Sequence, residues 1–91
     1  MRFEWHEAKR KVNIRKHGID FIDAAEIFEG VIVTIEDERF DYGEPRYLSL
    51  GLMRGRVILV VHTEQEEVIR IISARKATKY EEARYYAEIS D

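Results

Sequence analysis

Cysteine is absent from the chain, which excludes disulfide staples and thiolate metal sites and fits a reducing compartment. Only one proline interrupts it. No apolar run approaches the ~20 residues of a membrane span. The N-terminal stretch MRFEWHEAKRK lacks the apolar core of a signal peptide. A positive balance is missing too: 15 Lys and Arg stand against 18 Asp and Glu, a formal charge of −3. There is therefore no global electrostatic case for nucleic acid binding. The expectation is a soluble, cytoplasmic protein with no membrane partner.

What remains is ordinary for one small globular domain, residues 1–91: 45% hydrophobic and 36% charged, enough for a core without staples. The charges are unevenly spread. Lys9, Arg10, Lys11, Arg15 and Lys16 crowd one segment, while Glu36, Asp37, Glu38, Asp41 and Glu44 crowd another. Solvated faces explain such runs, and a local anion site does as well.

Helical spacing of Trp5, Ala8 and Val12 predicts a first helix over residues 6–17, closed by Gly18. Asp20 can cap a second helix over residues 21–29, with Phe21, Ala24, Ala25, Ile27 and Phe28 as its apolar stripe. The period then changes to two. Val31, Val33 and Ile35 mark a strand with one buried face, and Leu48, Leu50 and Leu52 mark a second. RVILVVHT is apolar on both faces and suits a central strand, and VIRIISARK returns as the fourth. Thr78 with Glu81 forms a capping box for a last helix, whose Ala83, Tyr86 and Ala87 can face the sheet. The order ααββββα is an α+β fold: two N-terminal helices, a four-stranded antiparallel meander and a C-terminal helix.

The hairpins propose neighbours. A turn centred on Arg54 sets Arg46 opposite His62, and one centred on Gln65 sets Arg56 opposite Ala74, one step from Arg75. Two arginines that close repel unless an acid or a bound anion lies between them, and Lys76 adds to the same field. Arginine forks suit a phosphodiester. Neutralisation by Glu81, Glu82 or the loop acids is the plainer alternative. His17 can bond the last carbonyls of its helix or carry a proton. His62 reads as a core or cross-strand histidine, and His6 as a solvated one. Dispersed histidines give little support for a metal site. Tyr80, Tyr85 and Tyr86 read as packing residues, one of which could stack a base. No glycine-rich phosphate loop exists, and Ser49 and Ser73 have no histidine and acid placed for a triad.

In order, these residues resemble the BrnT family, ribonuclease toxins of type II toxin–antitoxin modules with a RelE-like fold. The resemblance runs from Phe3 to about Tyr85. It rests on Phe3–Trp5, Asn13, Lys16–Gly18 with Phe21, Gly43, Glu44 and Arg46, Gly55 with Arg56, and Arg70–Ala77. It implies a metal-independent endoribonuclease, without cofactor, in which a ribose 2′-hydroxyl attacks the adjacent phosphorus. Arg56 and Arg75 are then expected at the phosphate with Lys76 in support, and His17 or Glu44 as proton carrier. Lys16 is expected as a second phosphate contact, Tyr80 as an RNA contact, and Arg46 as a further cation or the partner of Glu44. The implied partners are RNA and a ribbon–helix–helix antitoxin, through which operator DNA is met indirectly. An inactive antitoxin-docking module or a plain RNA-binding protein is the competing reading. Two departures stand out: His6 replaces the usual aspartate at the first helix cap, and the net charge is acidic.

Overall fold

The computed structural model describes residues 1–90. The chain runs β1 (Arg2–Glu4), α1 (Glu7–His17) and α2 (Phe21–Ala24), which tightens into a 3-10 turn over Ala25–Glu29. There follow β2 (Val33–Asp37), β3 (Arg46–Met53), β4 (Arg56–Gln65), β5 (Val68–Lys76) and α3 (Lys79–Ile89). One mixed sheet has the strand order β1-β5-β4-β3-β2. The meander β2 to β5 is antiparallel as expected, but the sheet has a fifth strand, β1, parallel to β5. Three residues carry no readable period. Phe3 recruits them by packing on Phe28 at 5.5 Å, and the Arg2 N–H donates to the Glu67 carbonyl at 2.9 Å.

The helices depart from expectation in instructive ways. Gly18 closes α1 in the left-handed conformation (φ 72°), its N–H bonded to the Ile14 carbonyl, as its position predicts. The expected Ala8–Val12 stripe is not buried, however: Val12 is 48% exposed, and the buried residue of α1 is Asn13. His6 stands at the N-cap without any side-chain hydrogen bond. Asp20 caps α2 by accepting from the Ile22 N–H at 2.9 Å. The second helix is α-helical only to Ala24, and the 3-10 turn that follows lies against β3. A Cβ on Gly51 would sit 2.7 Å from the Ile27 Cβ, so glycine there permits the approach.

The sheet separates two apolar layers. Phe21, Ala24 and Ile27 pack on Ile58, Val60, Ile69, Ile71 and Ala74 on one side. On the other, Tyr85 of α3 packs on Leu50, Val57 and Leu59. Each fully buried side chain of this size contributes ~1.5–3 kcal/mol of transfer free energy. Tyr85 takes the inward place expected for Tyr86, which is 44% exposed, while Ala83 and Ala87 are also exposed. The phase of α3 is set four residues earlier. Glu81 is bonded to Arg75 on the sheet, and a residue at i+4 shares its helix face. The Tyr85 hydroxyl donates to the Val31 carbonyl at 2.7 Å, and burial raises its pKa.

β2 is one edge of the sheet, and α3 leaves it half uncovered: Ile35 in it and Val31 just before it, both expected to be inward, are 58% and 63% exposed. Among the described residues, no helix is long and apolar enough to cross a membrane.

Candidate functional site

Strand register decides which cations meet. The β3–β4 turn is Arg54–Gly55, so Tyr47 and not Arg46 lies opposite His62. A slip of one residue moves a side chain to the other face of the sheet. Arg46 therefore shares its side with Leu48 and Leu50, the side that α3 covers. The β4–β5 turn is Glu66–Glu67, and a bulge leaves Ile72 between the pairs His62–Ile71 and Val61–Ser73. Beyond it Val60 faces Ala74 and Leu59 faces Arg75. Arg56 thus does not meet Arg75. Alternation puts it on the side of Ile58 and Val60, whereas Arg75 shares the α3 side with Leu59. Lys76 pairs with Ile58 and is exposed, away from Arg75.

The α3 face instead gathers Arg46, Arg70 and Arg75. Arg70 escapes a reading centred on strand ends, although alternation against buried Ile69 and Ile71 would have found it. It is ion-paired with Glu44, so the partner of Glu44 is Arg70 and not Arg46. To reach β5 from the start of β3, the Glu44 carboxylate must lie over this face. Arg46 stacks its guanidinium over the Tyr42 ring, 4.1 Å from the centroid. Its buried Nε has no hydrogen-bond partner, and Arg46 makes no ion pair among the described residues. Its register partner Asp37 is taken by Arg39 at 2.8 Å and by the Tyr42 hydroxyl at 3.0 Å. Those bonds hold the Asp37 carboxyl well below the usual range.

At the other end Arg75 is gripped by Glu81, with Nη1 and Nη2 at 2.9 and 3.0 Å from the two carboxylate oxygens. Glu81 also closes the expected capping box with Thr78. The Arg75 fork lowers the Glu81 pKa, and the carboxylate raises that of Arg75 in return. The acid that neutralises Arg75 is therefore Glu81, within the protein. Five residues of extended strand separate Arg70 from Arg75, roughly 15 Å. The charge is therefore spread along the face and not gathered in one anion hole. Between β2, β3 and α3 lies a mostly aliphatic cavity of about 260 Å³, with Tyr80, Glu81 and Arg84 at its lip.

Lys16 and His17 lie elsewhere, in a second cavity shared with Lys9, Val12, Ile72 and Ser73 along β5. Ser73 pairs with Val61 and shares the side of Arg75 two residues on, so it links this cavity to the α3 face. His62 is fully buried. Its Nδ1 faces the Thr63 carbonyl at 3.3 Å and can only donate there, so Nε2 accepts from the Ser49 hydroxyl at 2.7 Å. Ser49 in turn accepts from Thr34 at 2.7 Å. Ser49 thus has a histidine, but among the described residues no acid bonds that histidine to make a triad, and both residues are sealed from solvent. Burial lowers the His62 pKa. Among the described residues, no three His, Asp or Glu side chains group so as to hold a metal ion.

A search of curated proteins finds no match. A family model described as ribonuclease toxin, BrnT, of type II toxin–antitoxin system matches residues 5–81. That span contains Arg46, Arg70, Arg75, Tyr80 and Glu81, and the chain belongs to the BrnT family of ribonuclease toxins.

Proposed function

We propose that this chain is an endoribonuclease that cuts RNA on its α3 face without a divalent metal, in the cytoplasm. A cognate ribbon–helix–helix antitoxin neutralises it and brings the pair to operator DNA. The observation that carries this reading is Arg46, a guanidinium stacked on Tyr42 whose buried Nε has no partner within the protein. An arginine that makes no ion pair among the described residues is free to pair with an anion, and the guanidinium fork matches a phosphate.

In the reaction the 2′-hydroxyl loses its proton to a base while its oxygen attacks the adjacent phosphorus. The P–O5′ bond breaks, an acid protonates the leaving oxygen, and the strand ends in a 2′,3′-cyclic phosphate. Arg46 and Arg75 supply fixed positive charge where negative charge accumulates on the phosphorane. Arg75 does so by exchanging part of its Glu81 fork for phosphate. Glu44 lies over the same face as a proton carrier, and His17, in the neighbouring cavity that Ser73 also lines, is the alternative one. Tyr80, 70% exposed, offers a ring for stacking. Lys16 adds a phosphate contact on α1, and Arg56 and Lys76 serve flanking phosphates outside the face.

The test is incubation of the purified protein with single-stranded RNA in EDTA, followed by end-group analysis. Cleavage to cyclic phosphate and 5′-hydroxyl ends is expected. Arg46→Ala and Arg75→Ala should each lower kcat by about 10²–10³ while the protein stays folded. Equal cleavage by wild type and both variants would remove the assignment. Stable antitoxin binding with no turnover under any condition would leave the docking-module reading.

A further inference from the structure

The two edges of the sheet are treated differently. On one, β1 pairs with the first half of β5, and the Asn13 side chain bonds the Ala74 backbone beyond it. On the other, no segment of the described residues pairs with the outer side of β2. Exposed edge strands are usually guarded by charged side chains, above all lysine, by proline or by a bulge. VTIED has no lysine, proline or bulge, and its two charges, Glu36 and the buried Asp37, are both negative and so complement a basic partner strand.

The surroundings of β2 are apolar and acidic. Ile35 is 58% exposed at the mouth of the 260 Å³ cavity, which Val33, Leu48, Leu50 and Leu59 line below it. That volume accepts one large aliphatic or aromatic side chain. Glu36, Glu38 and Asp41 make no ion pair among the described residues, whereas Asp37 and Glu44 are taken by Arg39 and Arg70. We infer that β2 is the docking edge for an extended segment of the antitoxin that alternates apolar and basic residues and adds as a sixth strand. Its backbone completes the β2 ladder, an apolar side chain fills the cavity, and its cations face Glu36 and Glu38. A second copy of this chain fits poorly, because its own β2 would bring the same carboxylates alongside. RNA fits poorly for the same reason.

The geometry also says how such docking silences the site. Tyr80 and Glu81 form the lip of the cavity, and Glu81 holds Arg75. A side chain of the added strand that fills the cavity therefore packs against Glu81, the residue that holds Arg75.

The inference rests on the toxin reading for its partner, but its test reads binding and not cleavage. The chain is co-purified with the antitoxin encoded beside it, and amide hydrogen exchange is compared for the chain alone and in the complex. The amides of residues 33–37 should exchange about tenfold more slowly in the complex, as paired strand amides do. Ile35→Lys, on an exposed side chain, should weaken the complex about tenfold or more. Glu36→Lys with Glu38→Lys should weaken it further, and most at low salt. Unchanged β2 exchange together with wild-type binding by Ile35→Lys overturns the inference. So does a self-dimer that Ile35→Lys dissociates, or protection of β2 by a short RNA oligonucleotide instead of the antitoxin. A chain that binds antitoxin through β2 yet never cuts RNA keeps this inference and loses the proposed function. A chain that cuts RNA while its antitoxin protects another surface does the reverse.

Discussion

The side-chain amide of Asn13 takes the place of a neighbouring strand for Ala74. Its Nδ2 donates to the Ala74 carbonyl at 2.8 Å, and its Oδ1 accepts from the Ala74 N–H at 3.1 Å. The same Nδ2 donates to the Ile19 carbonyl at 2.9 Å, tying the α1–α2 connection to the sheet. One buried amide satisfies three backbone groups just where β1 ends and the β5 edge would lie open. Asn13→Ala leaves those groups unsatisfied and should cost ~2–4 kcal/mol. Asn13→Asp, which cannot donate when ionised, should cost at least as much at neutral pH. Urea unfolding of both variants checks this, and a loss under 1 kcal/mol in either would refute the role.

Gly51 is the second structural point of sensitivity. An added methyl would lie 2.7 Å from the Ile27 Cβ and 3.1 Å from the Ile32 Cγ2. Gly51→Ala should destabilise by ~1–3 kcal/mol through overpacking of the 3-10 turn. Thermal melts would show it, and an unchanged melting temperature for Gly51→Ala would refute the packing argument.

The β4–β5 turn holds two non-glycine residues at positive φ, Glu66 at 50° and Glu67 at 66°. A two-residue turn of this kind prefers Asn-Gly. Replacing Glu66 by Asn and Glu67 by Gly should stabilise the protein by about 1 kcal/mol, since L side chains resist the left-handed region. The turn lies at the far end of β5 from Arg75, so cleavage should be unchanged. A lower melting temperature for the double variant would contradict the strain argument.

His62 makes stability depend on pH with a definite sign. Burial lowers its folded-state pKa below the ordinary value of 6.5. The unfolded chain thus binds a proton that the folded chain refuses, and stability rises with pH between the two values. The contribution of neutral His62 is complete above pH 6.5 and is lost as pH falls through 6.5 toward the lowered folded value. Denaturation midpoints from pH 8 to 5 should decline, and the decline should flatten in His62→Gln. An equal slope in the variant would assign the effect to other groups.

Capping and turn chemistry are local, so Gly18, Asp20, Thr78 and Glu81 were readable as helix punctuation from the sequence alone. Alternation in the apolar runs was enough to find four strands and their meander order. Neighbours within five residues set those features, and no distant contact alters them. The family resemblance was legible for the same reason, since it lies in short runs such as RIISARKA.

The site was decided at longer range. A shifted register in each hairpin and one bulge carried Arg75 along β4 to lie opposite Leu59, away from Arg56 and on the same face as Arg70 and Arg46, with Glu44 on Arg70 and Tyr42 on Arg46. Because side-chain direction in a strand reverses with every residue, a register error of one exchanges the two faces completely. The sequence by itself determined the elements and the cations available. Only tertiary pairing decided that three of those cations share a face, that Glu81 restrains one of them, and that β2 is left as the open edge.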